Sequence, residues 1–174
     1  SIEVFLSQEC AENDVLPPID PHVAPHRARN FSERFNPIPQ IVTTVGREAV
    51  NAIADCRRRR RFYNHIPAYK IRDRISRDTW RNYFKFCVER NPWDRTLSLY
   101  HMLRARRTCD APFSKFVQQE CLFPNYPLYT EYNVPSGVIV DRVLRYENME
   151  EELSDVFSIL GVPFSGSLTI DAKR

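Results

Sequence analysis

Apolar and polar positions divide this chain into two strand-like runs and several helical ones. Residues 83–88 are aromatic and apolar, broken only by Lys85, which predicts a strand buried on both faces. Residues 138–146 are rich in β-branched side chains and predict a second strand. Residues 147–160 instead predict an amphipathic helix, because four apolar side chains recur at three- and four-residue spacing: Leu153, Val156, Phe157 and Leu160.

Further helices are expected around the two strands, which makes the chain an α/β protein. The patterns place these helices at residues 2–6, 46–61, 71–75, from 76 onward, 95–107 and 111–121. Strands that alternate with helices predict a mainly parallel sheet flanked by helices on both faces. Ligands of such folds bind beyond the carboxyl ends of the strands, and Arg90 and Tyr146 both stand at such ends.

Residues 13–45 are expected to form an irregular insertion. Six prolines interrupt this segment: Pro17, Pro18, Pro21, Pro25, Pro37 and Pro39. His22 and His26 are four residues apart, but a proline precedes each of them and argues against the helical turn that would align them on a metal. No metal site is therefore expected. A second proline-rich stretch, residues 124–135, predicts a loop.

The chemistry changes abruptly after the first strand, where Arg90 stands at a sharp turn. Asn91 is a favourable N-cap and the following proline fits the first helical position, so a helix N-terminus with free N–H groups is expected. The guanidinium of Arg90 matches phosphate or sulfate with two parallel hydrogen bonds. Ser98 lies two turns after Asn91 on the same helix face. The residues indicate an anion site or, alternatively, a local ion pair of Arg90 with Asp94 or Glu89.

The segment FCVERNPWDRTLSLY, residues 86–100, resembles the 3′-phosphate-binding segment of the PAPS-dependent sulfotransferases. The sulfuryl donor of that family is PAPS, 3′-phosphoadenosine 5′-phosphosulfate. In the family an arginine and a serine eight residues apart hold the 3′-phosphate, and Arg90 and Ser98 have this spacing. The stretch RYEN, residues 145–148, with the helix after it resembles a second family segment near the adenine. Tyr146 would stack on the base there, or else be a core tyrosine at a strand end.

The resemblance covers most of residues 62–174 and, weakly, residues 1–6. It implies a P-loop-like sulfotransferase fold, in a single domain over residues 1–174. The stretch SIEVFL at residues 1–6 resembles the helix that follows the phosphosulfate loop in carbohydrate (Golgi-type) and bacterial members. The expected domain therefore lacks its first strand and this loop, is truncated at both ends, and has Ser1 beside the 5′ side of the donor.

Two residues are candidates for the general base that removes the acceptor proton. His65 precedes a small-residue turn and a helix, where a histidine stands in related family members, and histidine is the usual base near neutral pH. Glu89 is the second candidate, because some members use a carboxylate. The alternative interpretations are a structural His65 and a Glu89 that only pairs with Arg90. PAPS is the expected donor, PAP is its desulfonated product, and no metal is required.

Composition limits the class of protein further. The chain has 174 residues, of which 43% are hydrophobic and 27% charged, with a net charge of +3, as in an ordinary globular domain. No apolar run is long enough for a membrane segment. Five scattered cysteines without a CxxC pair argue against zinc and favour the cytoplasm. One glycosylation-type triplet, residues 30–32, leaves the Golgi lumen as an alternative location if a membrane anchor precedes this chain.

Five consecutive arginines support other interpretations: Arg57, Arg58, Arg59, Arg60 and Arg61. They indicate either a solvated helix end or a non-catalytic module that binds polyanions. A nucleotide-dependent phosphoryl transferase is a further alternative, although the sequence has no G-x-x-x-x-G-K-[ST] loop. Sulfuryl transfer is preferred, with a small-molecule or carbohydrate acceptor that offers a hydroxyl or amine, and no nucleic acid is expected. Neither the acceptor nor the oligomeric state follows from the sequence.

Overall fold

A computed structural model describes residues 2–19, 26–118 and 125–168. Within these three stretches the α-helices are α1 (Ile2–Glu9), α2 (Ile38–Thr43), α3 (Arg47–Arg57), α4 (Ala68–Arg74), α5 (Arg77–Asn82), α6 (Pro92–Ala105), α7 (Phe113–Gln118) and α8 (Met149–Leu160). The strands are β1 (Phe86–Glu89), β2 (Thr130–Glu131), β3 (Val134–Val138) and β4 (Arg142–Arg145), and short 3₁₀ helices cover Tyr126–Leu128 and Tyr146–Asn148. The protein is therefore of the α/β class, as the sequence predicted.

Strands β1 and β4 pair in parallel, which aligns Phe86 with Arg142 and Glu89 with Arg145. Leu144 of β4 is fully buried and packs against α8. Because the two strands run in the same direction, their carboxyl ends meet at one edge of the sheet. In the described residues this parallel sheet has two strands, so it is smaller than the sheet that the sequence led us to expect.

One face of this sheet is covered by α1 and α8, which share an aromatic core. Phe5 of α1 stacks on Phe157 of α8 with ring centroids 5.2 Å apart, and Phe164 meets Phe157 edge-on at 5.1 Å. Burial of one such ring stabilises the fold by roughly 1.5–3 kcal/mol. Gly161 ends α8 with a φ of +67°, which is strained for residues with a Cβ and therefore suits glycine.

The hairpin of β2 and β3 corrects two sequence predictions. Residues 124–135 were expected to be a loop, whereas a 3₁₀ helix, β2, the whole turn and the first two residues of β3 lie there, with Asn133 at a φ of +55°. Asparagine tolerates this left-handed conformation, so the chain reverses without a glycine. The strand expected over residues 138–146 is β4 alone, four residues long, because Val138 belongs to the hairpin and Tyr146 begins a 3₁₀ helix.

The proline-rich insertion is also more ordered than predicted. Residues 13–45 were expected to be irregular, yet α2 lies within them. Pro39 is compatible with this helix because it occupies the first turn, where its missing N–H has no helical partner to lose. Helix α3 stops at Arg57, four residues before the predicted end, so the arginines at 58–61 lie beyond the helix.

A buried arginine fastens the insertion to the rest of the fold. The side chain of Arg74 is fully buried, and its Nη2 donates to Asp55 Oδ2 at 2.9 Å and to Gln40 Oε1 at 3.1 Å. Its Nη1 donates to the carbonyls of Arg60 at 2.9 Å and Arg61 at 3.0 Å. We call Arg74, Asp55 and Gln40 the Arg74 centre. It joins α2, α3 and α4 through one guanidinium.

Candidate functional site

The candidate site lies at the edge where β1 and β4 end. Because the register aligns Glu89 with Arg145, the next residues of the two strands, Arg90 and Tyr146, stand side by side. The guanidinium carbon of Arg90 lies 4.7 Å from the centroid of the Tyr146 ring, which is cation–π distance. The structure thus brings together two residues that are 56 positions apart in sequence.

Helix α6 begins directly behind this pair. Asn91 is the N-cap, and its side-chain oxygen accepts a hydrogen bond from the Trp93 backbone N–H at 2.9 Å, while Pro92 opens the helix. These features were predicted and are confirmed. The backbone N–H of Asn91 donates to Glu147 Oε1 at 2.7 Å, and this hydrogen bond lowers the pKa of Glu147 below its ordinary value. One anion-binding donor at the helix N-terminus therefore holds a carboxylate of the chain itself.

Arg90 has unused hydrogen-bonding capacity at this edge. Its Nε is buried and has no hydrogen-bond partner. A buried donor without a partner costs about 1–3 kcal/mol, so such a group is normally satisfied by a ligand, an ion or an ordered water. The alternative of a local ion pair is not seen in the described residues, because Glu89 pairs with Arg95 and Arg90 pairs with neither Glu89 nor Asp94.

Two polar side chains, those of Arg95 and Tyr129, lie against the Glu89 carboxylate. Its Oε1 accepts from Arg95 Nη1 at 2.5 Å, whereas its Oε2 is buried without a hydrogen-bond partner. The hydroxyl of Tyr129 lies against the same carboxylate, and burial, followed by the charge of Glu89, raises the pKa of Tyr129. Glu89 therefore stands at the end of β1 between a cation and a phenol.

The remaining predicted site residues are not joined to this edge by any recorded contact. Ser98 is half-buried on α6 and, in the part of the chain that the structure describes, makes no hydrogen bond with Arg90. His65 is exposed in the loop between α3 and α4 at a φ of +58°, and no hydrogen bond or ion pair links it to Arg90 or Glu89 across the described ranges. Ser1 lies outside the described residues.

Sequence reasoning missed three residues of the site: Arg95, Tyr129 and Glu147. Glu147 could have been found from the sequence. It follows Tyr146 directly, and parallel pairing of the two strands brings the residues after Tyr146 close to those after Arg90. Arg95 lies six residues after Glu89, with the chain reversal and the start of α6 between them. Neither helical nor strand periodicity therefore relates the two residues. Tyr129 reaches Glu89 only through the tertiary fold.

The five arginines do not form one uniform free patch. Arg61 pairs with Glu33 and donates through Nη2 to the Arg74 carbonyl at 3.1 Å. The guanidinium of Arg60 lies 5.1 Å from the Tyr63 ring centroid and 4.0 Å from Asp55. Two of the five therefore support the loop around the Arg74 centre, which reduces the charge available to a polyanion.

The described residues contain no group of three or more metal-binding side chains. Among those same residues, no helix has the length and apolar character needed to cross a membrane.

The buried, unpartnered Nε of Arg90 is the feature that fits a bound phosphate, because a phosphate oxygen would supply the missing acceptor.

Comparisons with known proteins give one relative. An uncharacterized protein of Archaeoglobus fulgidus is 35% identical to this chain over 101 residues, which cover 56% of this chain and 84% of the archaeal protein. No family model matches the chain. No solved structure matches it significantly either.

Proposed function

The chain belongs to the same family as the Archaeoglobus fulgidus protein, whose name states no activity, and we propose that it is a PAPS-dependent sulfotransferase. The reaction would move a sulfuryl group from PAPS to a hydroxyl or amine of an acceptor. The resemblance of residues 86–100 motivates the proposal. The observation that carries it is the buried Arg90 Nε without a partner, beside Tyr146, at the carboxyl edge of a parallel strand pair. The fold proposed with it is the P-loop-like one.

Arg90 and Tyr146 would bind the nucleotide part of the donor. The guanidinium would take the 3′-phosphate, and the Tyr146 ring already lies beneath that guanidinium at 4.7 Å. Ser98, further along α6, would add its hydroxyl. Glu147 works against this arrangement, because its carboxylate occupies the Asn91 N–H at 2.7 Å and would repel a phosphate. Donor affinity would then depend on the balance between Arg90 and Glu147.

His65 and Glu89 are the two candidates for the general base. A positioned base removes the acceptor proton as the acceptor oxygen attacks, and typically contributes about 10²–10⁴ in rate. Glu89 stands beside Arg90 at the carboxyl edge of β1, whereas His65 is exposed on a separate loop. Comparing turnover of Glu89→Gln and His65→Ala separates the two, because the variant that loses turnover while it keeps donor binding identifies the base.

The donor site is tested by a thermal melt with and without PAP in magnesium-free buffer. PAP at about 100 times its dissociation constant should add roughly 2.7 kcal/mol to the free energy of unfolding. Arg90→Ala should abolish the upward shift. Arg58→Ala is the matched control, because it removes the same charge from an exposed position outside the edge and should keep the shift.

Two results would contradict the proposal. One is the absence of any stabilisation by PAP. The other is stabilisation by ATP with magnesium in place of PAP, which would indicate a phosphoryl transferase.

A further inference from the structure

A second candidate site lies in a cavity formed by α4, α5 and the start of α2. The cavity has a volume of about 510 Å³. Small-molecule sites are usually of roughly 300–1,000 Å³, so this one is large enough for a ligand. The side chains that line it include three arginines and one carboxylate, namely Arg72, Arg77, Arg81 and Asp73. The cavity is therefore cationic, and no step of the proposed transfer reaction uses it.

Two of these arginines are available to a ligand. Arg77 and Arg81 lie one turn apart on α5, so their side chains project from the same helix face. Both are exposed, and neither forms an ion pair or hydrogen bond within residues 2–19, 26–118 and 125–168. Two guanidinium groups at this spacing offer paired donors to carboxylate or sulfate oxygens.

The other arginine belongs to the wall of the cavity. Arg72 donates to Glu131 through both terminal nitrogens, at 2.5 and 2.8 Å, and its Nε donates to Asp73 Oδ1 at 3.2 Å. Thr43 holds the other oxygen of Asp73 at 3.2 Å. Both oxygens of the Asp73 carboxylate are therefore held within the wall, and this side chain is almost fully buried.

The lining also contains a flat aromatic surface. Trp80 lies between Arg77 and Arg81 in sequence and lines the cavity together with Pro39 and Ile75. Its ring is held by Lys85, whose Nζ lies 5.3 Å from the ring centroid. An aromatic ring beside paired guanidinium groups suits a ring-shaped ligand that has an apolar face and an anionic substituent.

We propose that this cavity binds an acidic saccharide, a sugar unit that carries a carboxylate or sulfate. Arg77 and Arg81 bind the anionic group, and Trp80 contacts the ring. This saccharide is part of the acceptor, an assignment that rests on the proposed function.

The position of the cavity supports an extended ligand. Helix α5 precedes the start of β1, whereas Arg90 follows the end of this strand, and four residues of strand span about 13 Å. Glu131, which pairs with Arg72, lies two residues after Tyr129, which faces Glu89. A ligand that reached from the cavity to the Arg90 edge would therefore be longer than a single sugar.

Calorimetric titration with an oligogalacturonate at low salt tests the proposal. Saturable binding is expected, and Arg77→Ala and Arg81→Ala should each weaken it about tenfold, as expected for loss of a charge-assisted hydrogen bond. Arg58→Ala should leave the affinity unchanged, and a neutral dextran oligomer should not bind. Because Arg77 and Arg81 are exposed, their variants should fold, which melting curves verify.

Three outcomes would overturn the proposal: no binding of the oligogalacturonate, equal weakening by Arg58→Ala, or equally tight binding of short single-stranded DNA that depends on the same two arginines. The PAP melt separates this inference from the proposed function. A PAP shift without saccharide binding refutes the cavity proposal alone. Arginine-dependent saccharide binding without a PAP shift supports the cavity site, but refutes the proposed function and with it the acceptor role.

Discussion

Arg74 and Arg90 have the same side chain and opposite hydrogen-bonding environments. The guanidinium of Arg74 is fully buried, and all three of its nitrogens donate to described acceptors. Arg90 is half-buried, and its Nε has no partner. Arg74 also lies over the Phe35 ring at 4.2 Å, much as Arg90 lies over Tyr146 at 4.7 Å. The aromatic contact is therefore common to both, and the difference is in the hydrogen bonds.

This difference separates an arginine that stabilises the fold from one that is available to a ligand. A buried cation with its acceptors in place keeps α2, α3 and α4 together, and removing it leaves Asp55 without its nearest cation. A cation with an unused donor contributes little to stability and retains its capacity for an external anion. The neighbouring sequence does not reveal this difference, because a helix begins within three residues after each of the two arginines.

The largest expected effect is on stability, from Arg74→Met. The substitution keeps much of the volume but leaves the buried Asp55 carboxylate without its 2.9 Å partner. Breaking a buried ion pair on one side typically costs about 3–5 kcal/mol. Urea unfolding monitored by circular dichroism measures the loss. Arg90→Met is the matched control and should change the free energy of unfolding by less than about 1 kcal/mol. Similar losses in both variants would invalidate the comparison.

A smaller effect is expected at the Arg90 edge, from Glu147→Gln. The amide can still accept from the Asn91 N–H but no longer repels a phosphate beside Arg90. PAP affinity should therefore rise, by roughly fivefold. Glu150→Gln, on the exposed face of α8, removes the same charge elsewhere and should have little effect. Weaker PAP binding in Glu147→Gln would mean that this carboxylate supports the donor site.

The smallest effect concerns Arg72, an arginine intermediate between the other two. Arg72 hydrogen-bonds to Glu131 and thereby lowers the pKa of Glu131. A lowered carboxyl pKa stabilises the fold above the ordinary value of about 4.3, and this contribution is lost as the pH falls through the folded pKa. Because the pair is partly exposed, we expect a loss of only about 0.5 kcal/mol.

Urea unfolding at about pH 6 and about pH 3 measures this loss in the native chain and in Glu131→Gln. The variant should show a shallower pH dependence by that amount. An equal pH dependence in both proteins would show that the Arg72–Glu131 pair contributes nothing to stability.

Local patterns predicted much of the secondary structure at the candidate site. The N-cap at Asn91, the start of α6 at Pro92 and the end of α8 at Leu160 depend on neighbouring residues only, and the structure has them where the sequence placed them. The β2–β3 hairpin and helix α2 were missed, because a left-handed Asn133 and a proline in a first helical turn give weak local signals. The functional roles of all the predicted site residues stay predictions: Ser1, His65, Glu89, Arg90, Ser98 and Tyr146.

The sequence by itself determined the α/β class, the strand–turn–helix around Arg90, the start of α6 and the end of α8, because capping and hydrophobic periodicity act over a few residues. Only the tertiary structure decided which arginines have hydrogen-bond acceptors for all of their side-chain nitrogens. The parallel register placed Tyr146 and Glu147 beside Arg90 and Asn91, and the packing of three helices enclosed Arg74. Both depend on contacts between residues distant in sequence, which no local pattern encodes.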